Sequence, residues 1–166
     1  TAPGTPFELR ESDGMLRFVN TPDDLNALLE RARGFGDRIC IAEGDAHLSY
    51  TQLFERRDAL AGILDIERGD RVAICMRNRS EWMIGFLATI RCGGVAALLN
   101  SRGSASELCA AIDDVSPSVV LADSGRAALL REGGYTGRLI VAADLPATGS
   151  APANVAPGKK SDPAAI

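Results

Sequence analysis

The second half of this chain has a rhythm that restricts its fold more than any other feature. Arg71-Val72-Ala73-Ile74-Cys75, Val95 to Leu99, Ser118-Val119-Val120-Leu121 and Arg138-Leu139-Ile140-Val141 are short apolar runs that begin about 23 residues apart. Each interval holds a stretch with helical periodicity. Antiparallel strands can be joined by two-residue turns, whereas intervals of this length with a helix inside are crossovers of a parallel sheet. Such crossovers are almost always right-handed. The spacing therefore predicts an α/β fold: a layered, mostly parallel sheet of four core strands with flanking helices.

Local signals place the helices. Glu81 to Cys92 is apolar nearly all round (Trp82, Met83, Ile84, Phe86, Leu87, Ile90), so this helix should be largely buried. Asn78 and Ser80 are candidate caps for its start, and Gly93-Gly94 should end it. Ser104 with Glu107 is a capping box opening a helix to about Val115, and Gly125–Arg131 is a further helix. Earlier in the chain, Thr21 as cap, Pro22 in the first turn and the acids Asp23 and Asp24 predict a helix carrying Leu25, Leu28 and Leu29 and stopping near Gly34. Ile39–Ala42, the turn Glu43-Gly44-Asp45 and Ala46-His47-Leu48 predict an N-terminal hairpin near one edge of the sheet. Ser49 with Gln52 forms a second capping box. The helix from Tyr50 to about Leu64 presents Leu53, Phe54, Leu60, Ile63 and Leu64 on its apolar side.

The ends differ in character. Residues 1–20, interrupted by Pro3, Gly4, Pro6 and Gly14, read as an irregular arm with a short strand at Leu16–Val19. Residues 21–145 form the α/β unit. Residues 146–166 are rich in Pro, Ala and Gly and read as a linker, although its last residues, Ala164-Ala165-Ile166, resemble the start of a strand.

At 166 residues the chain has the length of one domain and can bury a core without covalent staples. Its net charge of −4 argues against nucleic acid or an anionic membrane as partner. Cys40, Cys75, Cys92 and Cys109 include no C-x-x-C pair, and there is one histidine, so a zinc site is not expected. Three of these thiols lie in apolar runs, as reduced core cysteines do. No signal-peptide pattern and no apolar run long enough to span a membrane is present; the expected location is the cytoplasm.

Parallel α/β sheets bind ligands beyond the carboxyl ends of their strands. The loops to inspect are therefore Met76–Ser80, Asn100–Ser104, Asp123–Gly125 and Ala142–Asp144. No G-x-G-x-x-G follows the first core strand, Gly158-Lys159-Lys160-Ser161 lacks the spacing of a phosphate-binding P-loop, and no G-x-S-x-G elbow occurs. His47 sits in the hairpin, away from these loops. Asp113-Asp114 are adjacent on a helix and point to different sides, as solvated residues do, and Glu67 to Arg71 is a charged loop. Asn100-Ser101-Arg102 is the most suggestive polar cluster. Arg102 there could meet a carboxylate or phosphate, which makes Asn100 and Arg102 candidate substrate contacts; a plain surface loop is the competing reading.

Several stretches in register resemble one family. Leu48-Ser49-Tyr50-Thr51-Gln52-Leu53 resembles the first core motif of adenylate-forming enzymes, with Gln52 where Glu is usual. Gly69-Asp70-Arg71-Val72-Ala73-Ile74 with Asn78-Arg79-Ser80-Glu81-Trp82, and Arg91-Cys92-Gly93-Gly94 running through Val95 to Asn100, resemble the segments that follow. Glu107-Leu108 and Ser116 to Asp123 continue the order, so the resemblance covers about residues 22 to 145. The family is the AMP-forming acyl-CoA synthetase and ligase group. Its members activate a carboxylic acid with ATP and Mg²⁺ to an acyl-adenylate and pass the acyl group to a thiol such as CoA. The resemblance implies the first α/β subdomain of such an enzyme. It also implies that Arg126, in the loop Asp123-Ser124-Gly125-Arg126, contacts the CoA 3′-phosphate.

The departures matter as much. Ser161 to Ile166 resembles the segment that leads into the family's Gly-, Ser- and Thr-rich phosphate loop, and neither that loop nor the catalytic Lys is in the sequence. The resemblance thus implies ATP, Mg²⁺ and CoA for a parent enzyme. It implies no catalytic residue, no metal ligand and no tight cofactor binding in this chain alone. The partners it implies are the remaining subdomains and a carboxylic acid. Alternatives are a non-catalytic module docking on a partner that supplies the rest, with a homodimer through an exposed apolar face as one form of it, and a small nucleotide-binding α/β domain.

Overall fold

A computed structural model of the chain describes residues 3–5, 7–22, 24–149, 158–159 and 162–166. Its centre is a parallel four-stranded sheet of β5 (Arg71–Cys75), β6 (Val95–Leu98), β7 (Val119–Ala122) and β8 (Leu139–Val141), in the order β6-β5-β7-β8. Three helices make the crossovers: α3 (Ser80–Arg91), α4 (Ala105–Val115) and α5 (Ser124–Glu132). The predicted strands of this sheet and the three crossover helices appear within one or two residues of their expected bounds.

Alternation along the strands sorts the core into two layers. Val72, Ile74, Val119 and Leu121 face α3 and α2 (Tyr50–Leu64), meeting Ile84 and Leu87 of α3 and Leu60 and Leu64 of α2. Ala73, Cys75, Val120 and Ala122 face the other way, onto Leu108 and Ile112 of α4 and Ala127 and Leu130 of α5. A right-handed connection leading to the left of β5 must cross one face, and connections leading right must cross the other. That is why α3 lies apart from α4 and α5.

The close of α3 depends on its two glycines. Gly93, at φ +75°, donates its N–H to Ile90, and the Gly94 N–H reaches Thr89, the Schellman pattern of a helix end. A Cβ on Gly94 would come within 2.8 Å of Ile66 and 3.1 Å of the Asp70 carbonyl. Helix α3 therefore packs against the entry to β5 at a distance only glycine permits.

Both capping boxes form as expected, at Ser49–Gln52 and Ser104–Glu107. The expected hairpin is β3 (Ile39–Glu43) with β4 (Ala46–Ser49). Other expectations are corrected. The first helix, α1 (Leu25–Glu30), is capped by Asp24 rather than Thr21, because the Asp24 carboxylate accepts the Ala27 N–H; it continues as a 3₁₀ turn over Arg31–Phe35. Asp23 lies outside the described residues. At α3, neither Asn78 nor Ser80 serves as the side-chain cap. Arg79 holds the cap position, and Glu43 of β3 accepts the Ser80 N–H at 3.1 Å, so the hairpin supplies the cap. Ile63, expected on the buried side of α2, is exposed.

Both ends carry structure beyond expectation. In the stretch read as an irregular arm, β1 (Leu9–Ser12) and β2 (Met15–Phe18) pair around Asp13-Gly14, both at positive φ as a two-residue hairpin turn requires. In the stretch read as a linker, of which residues 150–157, 160 and 161 lie outside the described set, Ala165 bridges Ala96 in parallel. Hydrogen bonds join Ala164 and Ile166 to the outer edge of β6. The strand-like reading of Ala164-Ala165-Ile166 thus corresponds to an added parallel pairing.

One buried charge cluster was not anticipated. Arg57 of α2 is fully buried; its guanidinium donates to Glu30 at 2.7 Å and to Asp58, and lies 4.6 Å from the centre of the Phe54 ring. Arg33 joins the same two carboxylates and the same ring. Burial alone would raise the Glu30 pKa, but the two guanidinium groups outweigh it and hold the carboxyl below its ordinary value. Arg57→Ala removes the buried member and should cost about 3 kcal/mol of stability in urea unfolding, with Arg57→Lys restoring only part because it lacks the planar fork.

Candidate anion cleft at the carboxyl edge

In the order β6-β5-β7-β8 the chain leaves β5 in one direction and β7 in the other. A crevice opens between their carboxyl ends at such a switch point. The four loops singled out from the sequence all emerge on this side, since the strands are parallel. A cleft of 670 Å³ there is lined by Arg77 and Asn78 after β5, Ser101 and Arg102 after β6, and Arg126 in α5. A neighbouring hollow of 360 Å³ adds Asp123 and the residues after β8.

Asp123 organises this edge. One carboxylate oxygen accepts the Arg126 N–H at 2.9 Å and so caps α5; the other accepts the Arg77 N–H at 3.0 Å, reaching across the crevice to the loop after β5. The Arg126 side chain turns the opposite way. Its Nε donates to the Ser101 carbonyl at 2.8 Å, and Nη1 lies 3.4 Å from Asp123. One Asp–Arg unit therefore ties together the loops that follow β5, β6 and β7. Burial would raise the Asp123 pKa, but the backbone N–H groups of Arg126 and Arg77 and the Arg126 guanidinium prevail and hold it below the usual aspartate value.

The structure divides the expected contacts. Arg102 is exposed and lines the cleft. Asn100 shapes the loop, its Oδ1 accepting the Arg102 N–H at 3.1 Å. Arg126 lines the cleft, but two of its nitrogens already serve the internal tie. Arg77 was not singled out in the sequence. Among the described residues its guanidinium and that of Arg102 have no protein acceptor, so two cations face the cleft with unused donors. The only hint of Arg77 was its position two residues beyond a core strand. In a chain of net charge −4, guanidinium groups gathered at one crevice make a local field that favours an anion.

Other chemically capable groups lie elsewhere. His47 is exposed on β4, and Asp113 and Asp114 are exposed on α4. Burial pushes the thiols of Cys75 and Cys92 up to about 11, which suits core packing and opposes nucleophilic use. Among the described residues no group of His, Cys, Asp and Glu is placed to hold a metal ion, and no helix is long and apolar enough to cross a membrane.

Because the Asp123 pKa is depressed in the folded state, its contribution to stability is complete above the unfolded value and is lost as pH falls through the folded one. Asp123→Ala should therefore lower stability by about 1 kcal/mol or more at pH 7. The deficit relative to the unsubstituted chain should shrink as pH falls below about 4 in parallel urea titrations.

Known proteins are similar to this chain in sequence and fold. The sequence pattern of the AMP-binding enzyme family matches residues 28–166. A medium/long-chain-fatty-acid–CoA ligase of Mycobacterium tuberculosis, FadD6, is 27% identical over 135 residues, covering 78% of this chain and 23% of the relative. A 4-hydroxybenzoate–CoA/benzoate–CoA ligase of Rhodopseudomonas palustris is 32% identical over 134 residues, covering 74% of this chain and again 23% of the relative. The chain thus spans under a quarter of the length of these two relatives. Among solved structures, the N-terminal subdomain of NpsA from Klebsiella oxytoca superposes with a TM-score of 0.73 at 20% identity, over 87% of this chain and 37% of that one. MatB from Rhodopseudomonas palustris gives 0.69 at 28% identity, over 86% and 31%. The chain belongs to the AMP-binding enzyme family and has the α/β fold found in the N-terminal subdomain of adenylate-forming enzymes.

Proposed function

We propose that this chain is the N-terminal scaffold of an acid–thiol ligase and that its arginine cleft receives the phosphorylated end of CoA. The observation that carries the reading is the pair of unpartnered guanidinium groups, Arg77 and Arg102, held at the switch-point crevice beside Arg126. Phosphate oxygens are the acceptors such forks fit best. In the parent enzyme, ATP and Mg²⁺ supply activation of a carboxylic acid as its adenylate before the acyl group passes to the CoA thiol. This chain's part is to bind and orient. Asp123 stays ionised and holds Arg126, Arg126 holds the Ser101 carbonyl, and the two loops present Arg77 and Arg102 to the ligand.

The relatives act on fatty and aromatic acids, and the acid activated by the parent enzyme is left open by the residues present. Exposed apolar side chains support further subdomains as the partners. Leu98 and Ile166 lie at the outer side of the sheet, and Phe7, Leu16 and Phe18 lie in or beside the first hairpin. Four free cysteines suit a reducing compartment such as the cytoplasm.

Two measurements test the reading. CoA should bind the chain in calorimetry, and the double substitution Arg77→Ala/Arg102→Ala should weaken it by about a hundredfold if each fork contributes about 1.4 kcal/mol. Unchanged affinity in the double variant would refute the cleft. No Gly-, Ser- and Thr-rich phosphate loop occurs within residues 1–166, so ATP–pyrophosphate exchange by these residues with a panel of carboxylic acids should stay at background; exchange above it would show an adenylation site within them.

A further inference from the structure

The loop that carries Arg77 is held at both ends by carboxylates from elsewhere in the chain. It covers residues 76–79, between β5 and α3. Met76 is buried, whereas Arg77, Asn78 and Arg79 are exposed, so burial does not fix those three side chains. At the first end, Asp123 accepts the Arg77 N–H at 3.0 Å. At the far end, Glu43 uses both of its oxygens. One accepts the Ser80 N–H and the other accepts Arg79 Nε, each at 3.1 Å. Arg79, in the cap position of α3, makes no side-chain cap bond of its own, so the helix start depends on Glu43. The Ser80 N–H above all, with the Arg79 guanidinium, holds the Glu43 carboxyl below its ordinary value, which keeps it ionised at neutral pH. Glu43 is itself anchored. The hairpin of β3 and β4 forms a sheet of its own, and Cys40 and Ile41 of β3 pack against the core cluster that contains β5 and α3.

We propose that Glu43 is a positioning residue for the arginine cleft: from the hairpin it fixes the far end of the loop that presents Arg77. The inference rests on the preceding reading of the cleft and adds to it a residue that touches no ligand. A guanidinium on a loop pinned at both ends is ordered before the anion arrives, so less freedom is lost on binding. Without Glu43 the first N–H of α3 loses its acceptor, the loop keeps only the Asp123 hold, and Arg77 must be ordered as the ligand binds. Glu43 also engages Arg79, so that the cation next to the loop is already paired while Arg77 is not.

A double-substitution cycle tests the role. CoA affinity is measured by calorimetry in four chains, all carrying Arg79→Ala so that a guanidinium released from Glu43 cannot replace Arg77. The four are that background alone, Glu43→Ala, Arg77→Ala, and both together. Glu43→Ala should weaken CoA by about fivefold or more where Arg77 is present and should not weaken it where Arg77 has been removed. Losing the Glu43 charge changes the field at the ligand in both backgrounds, so that effect cancels in the comparison, as does a general loss of stability. Should Glu43→Ala fail to fold by circular dichroism, Glu43→Asp, which keeps the charge but draws the carboxylate back from Ser80, decides by the same criterion. If Arg77→Ala weakens CoA while Glu43→Ala has no effect, or an equal effect in both backgrounds, the positioning role is overturned and the cleft stands. Absence of CoA binding, or unchanged affinity in Arg77→Ala, would remove Arg77 from the site and the role of Glu43 with it.

Discussion

Strand β5 is the member on which the rest of this structure depends. It is hydrogen-bonded in parallel to β6 on one side and β7 on the other, and all four of its residues from Val72 to Cys75 are buried. The chain goes from β5 to one neighbour and returns across the sheet to the other. Right-handed crossovers then assign α3 to one face and α4 and α5 to the opposite one. The same reversal leaves the carboxyl ends of β5 and β7 without a connection passing over them. The crevice that collects Arg77, Arg102 and Arg126 is thus a consequence of strand order.

Around that sheet, helix ends are secured by residues far away in sequence. Glu43 of the hairpin caps α3 and also holds Arg79, tying β3 to the mouth of the crevice. Asp24 caps α1 with one oxygen and accepts the Gly158 N–H with the other, so the first helix and the last described segment share a carboxylate. Arg68, in the loop before β5, pairs with Asp162 of the same segment. Asp123 and Arg126 do the corresponding work at the carboxyl edge. Each link replaces an exposed polar end with a charge-assisted hydrogen bond, and together they orient the loops more firmly than their own short lengths would.

The family relation fits this division of labour. The proposed role as a scaffold with one anion cleft calls for loops held by hydrogen bonds and for open apolar margins, which the Asp123–Arg126 tie and the exposed apolar side chains provide. The hairpin of β1 and β2 puts Leu9, Leu16 and Phe18 on one face and Arg10 and Arg17 on the other, with both faces exposed. A two-stranded hairpin has little stability of its own, and an apolar face of this kind suits packing against further protein.

Sequence alone determined the elements whose causes are local. The apolar runs of β5 to β8, the boxes at Ser49–Gln52 and Ser104–Glu107, the Gly93-Gly94 stop and the β3–β4 hairpin each rest on residues within a few positions of one another, where periodicity and capping act. The Asp13-Gly14 turn is an equally local hairpin signal, masked in the sequence by the glycines and prolines around it. Tertiary structure decided what needs distant partners. The strand order, the Glu43 cap on a helix 37 residues away, the burial of Arg57 against Glu30 and the tie from Arg126 to Ser101 have no sequence period to betray them. The same holds at the candidate site. Arg102 was legible because it follows a strand in a polar cluster. Arg77 became a candidate, Asn100 a loop-shaping residue and Arg126 partly a structural tie only once the crevice brought three loops together, because hydrogen-bond geometry assigns those roles and residue type does not.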